Sequence, residues 1–373
     1  MIKSYVKEHK EDVLELIREL CKIPAPSYHE EKRAEFCKAW LEENGAEGVY
    51  IDEVNNVIFP INCEGSNEIT VISAHLDTVF PDLEPMKFVE DEEKMYCPGI
   101  GDDTASVAVL LYVAKYFIEN HIKPEKGLLI VCNSCEEGLG DLIGTRKLMK
   151  AYDGRVKQFV PFDSRINVMA NRCVGSHRYE VEVTTQGGHS FLAFGNKSAI
   201  YELSKMITKI FEIEVPQRGD SKTTYNVGII EGGTSVNTIA QSAKMLCEYR
   251  SDDVECLEIM RQNFEKIFED AKSEDVSVKV NMVGNRPCAN IDWEKQDALA
   301  GICRGIAEEV LQCEVGFQKS STDCNIPMSM GIPAVCVGVY QGKGAHTREE
   351  VIEKAYMEVG LEIGIKIALT LGR

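Results

Sequence analysis

The sequence predicts an α/β protein: a mainly parallel sheet with helices on both faces, and a smaller α+β domain inserted into it. Three observations point there. Continuous apolar runs of strand length alternate with helical stretches in the outer parts of the chain. The middle instead alternates apolar and polar residues, as half-exposed antiparallel strands do. A length of 373 residues also exceeds the size at which one hydrophobic core usually keeps growing.

Val6, Val13, Leu14, Ile17 and Leu20 recur at helical spacing, so the first ~45 residues read as two helices broken at Pro24-Ala25-Pro26-Ser27. Ser27 is the expected N-cap of the second helix, which stops at Gly45. Apolar strands are expected at 57–61, 69–74, 128–132, 159–162 and 334–339, with helices at 104–120 and 141–151 between them. From 178 to 185 the chain alternates: Tyr179, Val181 and Val183 against Glu180, Glu182 and Thr184. A helix at 198–212, strands at 223–230 and 242–250, a helix at 254–271 and a strand at 276–282 complete a β-α-β-β-α-β order. After Pro287 the α/β character returns with a helix at 293–311 and a C-terminal helix from 348. The domains are therefore expected at 1–174 with 286–373, and at 175–285.

The formal charge of -19 argues against phosphate backbones and anionic membranes as partners. Acidic residues such as Glu30-Glu31-Lys32 and those between 255 and 269 read as solvated helix faces. Fourteen cysteines are many, but Cys132 and Cys135 have no second pair to complete a zinc site, and Met1-Ile2-Lys3-Ser4 opens an amphipathic helix rather than a secretory leader. The expectation is a cytoplasmic chain with reduced, mostly buried thiols, Cys97, Cys135 and Cys324 included. No apolar run approaches the ~20 residues that span a bilayer.

Chemistry-bearing residues gather where strands end, the place open α/β sheets build sites. In Ser73-Ala74-His75-Leu76-Asp77 a histidine sits two residues from an aspartate able to orient it. Pro98-Gly99-Ile100-Gly101-Asp102-Asp103 puts two carboxylates ahead of a long apolar helix, where one would serve as a cap. Glu136 and Glu137 follow the most apolar strand, Asp163 follows another, and His346 lies in a glycine-rich loop. Each has an ordinary loop or capping explanation. Together they offer oxygen and nitrogen donors without an obligatory thiolate, a set suited to two divalent ions such as Zn, Mn or Co. Such a pair holds a bridging hydroxide and polarises a carbonyl.

With these motifs in this order, the chain resembles the co-catalytic zinc peptidase family of carboxypeptidase G, peptidase T, and the acetylornithine and succinyl-diaminopimelate deacylases. The resemblance covers nearly the whole chain and implies a zinc-exopeptidase-like catalytic domain with an inserted lid and dimerisation domain. It implies that His75 and Asp163 bind one metal, Glu137 and His346 the other, and that Asp102 bridges both. Asp77 would orient His75, a cis peptide would follow Asp102, and Glu136 would be the general base. In the insert, Gln186-Gly187-Gly188-His189-Ser190 resembles the loop whose histidine reaches the neighbouring subunit's site, Asn237 is expected near substrate, and Arg250 suits a substrate carboxylate. Thr104 departs from the pattern, since many relatives carry lysine there. The implied activity is hydrolysis of amide bonds in small peptides by a cytoplasmic homodimer. Deacylation of N-acyl amino acids is the alternative, and a non-catalytic metal-binding dimerisation protein a more distant one.

Overall fold

The computed structural model describes residues 1–373. It divides into two compact units, Met1–Cys173 with Asn290–Arg373, and Val174–Ala289. The chain opens with α1 (Ile2–Glu8), α2 (Lys10–Cys21) and α3 (Glu31–Glu43), three helices where two were expected. The added break is His9, whose φ of -96° and ψ of 9° leave the helical region while its ring bonds Asp12 at 2.8 Å. Helix α3 starts after Glu30 rather than at Ser27, because the Ser27 hydroxyl is spent on Asp77 at 2.6 Å.

There follow β1 (Tyr50–Ile51), β2 (Val57–Ile61), β3 (Ile69–His75), β4 (Val89–Glu90), β5 (Lys94–Tyr96), α4 (Ser106–Glu119), β6 (Gly127–Asn133), α5 (Ile143–Ala151), β7 (Val156–Pro161) and β8 (Val168–Cys173). The sheet order is β1-β2-β6-β3-β7, with β6, β3 and β7 parallel, β2 antiparallel to β6, and β1 antiparallel to β2. Every residue of β3 and β6 is buried, as strands covered on both faces require. Helix α4 is buried almost all round, which explains why its sequence lacks a polar face.

The second unit contains β9 (Gly175–Thr185), β10 (Gly188–His189), α6 (Ala199–Phe211), β11 (Thr223–Gly232), β12 (Thr238–Ile239), β13 (Ser242–Ser251), α7 (Val254–Asp270) and β14 (Val276–Arg286). Its antiparallel sheet runs β11-β13-β9-β14. Tyr179, Val181 and Val183 of β9 join α6 and α7 in a core of this unit's own. Strand β14 extends four residues past the expected end, carried through a register shift between Met282 and Gly284.

Back in the first unit, α8 (Trp293–Leu311), β15 (Gly316–Ser320), α9 (Asn325–Ser329), β16 (Gly342–Lys343), β17 (Val351–Glu353) and α10 (Met357–Leu371) complete the fold. The strand expected at 334–339 is a series of single bridges, Ala334 parallel to β7, Val337 parallel to Phe162 just beyond it, and Cys336 antiparallel to β8. The C-terminal helix begins nine residues later than expected, because residues 351–353 first pair with β5. All fourteen cysteines are free thiols, and all but Cys313 are buried.

Candidate metal centre

The carboxyl ends of β3, β6 and β7, the turn before α4 and the loop between β16 and β17 bring His75, Asp102, Glu136, Glu137, Asp163 and His346 together. His75, the last residue of β3, sets Nε2 3.0 Å from Asp102 Oδ1 and 4.0 Å from Asp163 Oδ1. The second oxygen of Asp102 lies 3.1 Å from His346 Nε2, which is also 3.1 Å from Glu137 Oε1. One carboxylate thus stands between two imidazoles. Three donor groups form, His75–Asp102–Asp163, Asp102–Glu137–His346 and His75–Glu136–Glu137, with donor atoms inside each within 4.8 Å of one another. The peptide joining Asp102 to Asp103 is cis.

The geometry around Asp77 differs from the simple expectation. His75 Nδ1 is nearer the Asp77 carbonyl oxygen (3.0 Å) than its carboxylate (3.4 Å). The buried carboxylate instead accepts from the Glu136 and Glu137 amides, each at 2.9 Å, and from Ser27. Asp77 therefore ties the loop after β6 to the end of β3. Asp103 adds another tie by accepting from the His75 amide at 2.9 Å.

Three supporting acids were not picked out from the sequence. Glu350 accepts from the amides of Gly99, Gly101 and Asp102 at 2.6, 3.0 and 2.8 Å, fixing the turn that presents Asp102. Its signal was a charge four residues beyond His346, leading directly into an apolar strand. Glu30, read as part of a solvated face, is fully buried and accepts from the Cys135 amide and thiol at 3.0 and 3.2 Å. Asp323 accepts from Asn133 and Thr145 beneath the loop.

These donors fit cations better than they fit each other. Neither close contact of His346 has hydrogen-bond alignment, and Glu137 Oε1 is a buried oxygen without a hydrogen-bond partner. Burial, and then the Asp102 charge, push the Asp163 and Glu137 carboxyls upward. Burial also works against Asp102, but His346 and His75 outweigh it and hold that carboxyl below the usual range. The Asp102 and Glu137 carboxylates in turn raise His346 to about 10. Protons here fill a place that divalent ions with oxygen and nitrogen ligands suit.

In the second unit, β10 pairs with β12 so that His189 faces Thr238, and the Ser190 amide donates to the Asn237 carbonyl at 3.0 Å. His189 and Asn237 are therefore neighbours. Arg250 is not beside them: it lies near the far end of β13, about 25 Å along the strand. Its guanidinium grips Glu248 at 2.8 and 3.0 Å.

A family model for peptidases M20/M25/M40 matches residues 71–370. The chain belongs to this family. Succinyl-diaminopimelate desuccinylase of Corynebacterium glutamicum is 23% identical over 362 residues, covering 91% of each chain. Carboxypeptidase G2 of a Pseudomonas species is 24% identical over 63% of this chain and 57% of its own. Among solved structures, a tripeptidase of Staphylococcus aureus superposes with a TM-score of 0.77 at 22% identity over 98% of this chain and 99% of its own. A dinuclear metal-binding peptidase of Bacillus subtilis reaches 0.65 at 16% identity over 98% of both. The family's peptidase and amidohydrolase character and its mixed α/β catalytic fold with a separate smaller domain agree with the expectations drawn from the motifs. No helix is long and apolar enough to cross a membrane.

Proposed function

We propose that the protein is a metal-dependent peptidase that hydrolyses an amide bond in di- or tripeptides. The observation that carries this reading is the Asp102 carboxylate set between His75 and His346, with Glu136 buried among the same donors. His75, Asp102 and Asp163 would hold one divalent ion, and Asp102, Glu137 and His346 the other, with zinc the first choice and cobalt or manganese next. Bound there, the pair would supply Lewis acidity toward an amide carbonyl and an attacking water.

The chain's own residues do the rest. Glu136 takes the proton of the attacking water and returns it to the leaving amine. Its backbone is fixed by Asp77, so the base is aimed by a buried hydrogen bond rather than by a mobile loop. In this reading His189 of the partner subunit would steady the oxyanion, Asn237 beside it would lie near substrate, and Arg250, far from both along β13, would take a substrate carboxylate through its planar fork. Support for a homodimer through the inserted unit comes from β11, an edge strand whose Ile229 and Ile230 are 50% and 55% exposed. A cytoplasmic location suits the free, buried thiols.

Similarity to a desuccinylase over nine-tenths of both chains favours one second reading, removal of an acyl group from an N-acyl amino acid. A metal-loaded panel separates the two. It contains free di- and tripeptides beside N-acetyl, N-succinyl and N-acyl-glutamyl amino acids. Cleavage confined to free peptides is the expected result, whereas cleavage confined to blocked substrates establishes the deacylase.

A further inference from the structure

Carboxylates tie the loops of the candidate centre together, but one cation also joins three of the same segments. Arg33 on α3 is 3% exposed, although Glu31-Lys32-Arg33 reads as a polar stretch. Its Nη1 donates to the Leu76 carbonyl at 2.8 Å and to the Thr104 hydroxyl at 3.3 Å. Its Nη2 donates to the Leu20 and Ile23 carbonyls at 3.1 and 2.6 Å, and Nε donates to Ile23 at 3.1 Å. No carboxylate lies within ion-pair distance. Burial therefore works against the charge, and an arginine placed only to pack would be a poor choice here.

The acceptors are informative. Leu76 lies between His75 and Asp77, and Thr104 is two residues after Asp102. Leu20 and Ile23 close α2 just ahead of the turn from which Ala25 accepts the Thr78 amide at 2.9 Å and Ser27 reaches Asp77. We propose that Arg33 is a positioning residue of the metal centre, locking the His75–Asp77 turn against the Asp102–Thr104 turn and so setting the spacing of the His75 and Asp102 donors. This rests on the metal-centre reading given above. The His75–Asp102–Asp163 group depends on this lock directly. Asp102, common to both groups, is held separately by Glu350, and the Glu137 loop by Glu30, so it is the His75-held ion whose donor spacing the lock sets. Lysine cannot replace the fork, because a point ammonium cannot donate to three segments at once.

The test is a titration of metal-free full-length protein with Co2+, followed by calorimetry and by visible absorption. Wild type is expected to bind two ions. In Arg33→Lys one ion binds about 10–100-fold more weakly, while the other stays within about threefold. The kcat falls in step at limiting metal, with KM within about twofold. Equal weakening of both ions together with a lower melting temperature indicates a merely structural arginine and overturns the proposal. So does unchanged binding in Arg33→Lys. Should Arg33→Lys fail to fold, Thr104→Val removes a single acceptor and is expected to weaken the same ion by about threefold; no change overturns the proposal. A wild-type chain that binds no Co2+ overturns the metal-centre reading along with this one. If wild type binds two ions but cleaves nothing in the panel, the peptidase reading falls and the titration alone decides Arg33.

Discussion

Replacing Asp77 with asparagine perturbs the candidate centre without touching a proposed metal donor. Each carboxylate oxygen of Asp77 accepts a backbone amide, Oδ1 that of Glu136 and Oδ2 that of Glu137, and Oδ2 also accepts Ser27. Asparagine has one acceptor oxygen, so whichever way its amide turns, an NH2 group faces one of the two backbone N–H groups. The Ser27 hydroxyl can rotate and accept, but a backbone N–H cannot. The variant thus loses a hydrogen bond to a charged group, worth about 1.5–3 kcal/mol, and buries an unpaired donor at about 1–3 kcal/mol more. Because these terms overlap, about 3–5 kcal/mol of unfolding free energy should disappear. The carbonyl contact to His75 survives, so affinity for the His75-held ion should fall by only about 10–100-fold.

The assay is urea unfolding of chelated protein beside metal titration of the same samples at neutral pH. Burial works against the charge of Asp77, yet the adjacent His75 imidazole and the hydrogen bonds from Ser27 and the Glu137 amide hold its carboxyl below the usual range. Its contribution is therefore present above the unfolded aspartate value near ~4 and is lost as pH falls through the depressed folded value. The gap between wild type and variant should close on acidification. A variant within about 0.5 kcal/mol of wild type at neutral pH, with metal affinity unchanged, would refute the reasoning.

Two further outcomes follow from the same geometry. Chelation should lower the melting temperature, because free metal at about a thousand times its dissociation constant stabilises the native state by about 4 kcal/mol; identical melting with and without metal, in protein shown to be loaded, contradicts the donor grouping. Phe162→Ala removes a fully buried ring against Gly364 and should cost about 3–5 kcal/mol in urea unfolding, while a cost below about 1 kcal/mol would show that the core beside Asp163 can collapse.

Most of the scaffold was legible because its signals are local. Strands β3 and β6 are buried on both faces and read as unbroken apolar runs. Strand β9 packs one face and alternates. The donors His75, Asp102, Glu137, Asp163 and His346 stand out as polar residues just where apolar runs stop. What escaped depends on partners far along the chain. Glu30 and Arg33 lie in a run of charges on an amphipathic stretch, and their burial rests in part on acceptors and donors contributed by residues as distant as 76, 104 and 135. Ser27 looked like a helix cap because Asp77, fifty residues away, is its actual partner. The grip of Glu248 on Arg250 was readable, since residues two apart on a strand share a face, yet attention to the arginine alone passed over it.

Glu136→Gln tests the central claim most directly, with metal content and turnover measured on the same preparation. Glutamine keeps the backbone amide that donates to Asp77, and the donors of both metal groups that share Asp102 are untouched. The account predicts two metal ions per chain, as in wild type, and peptide turnover lowered by about 10²–10⁴-fold. Turnover near wild type at equal metal content would contradict it.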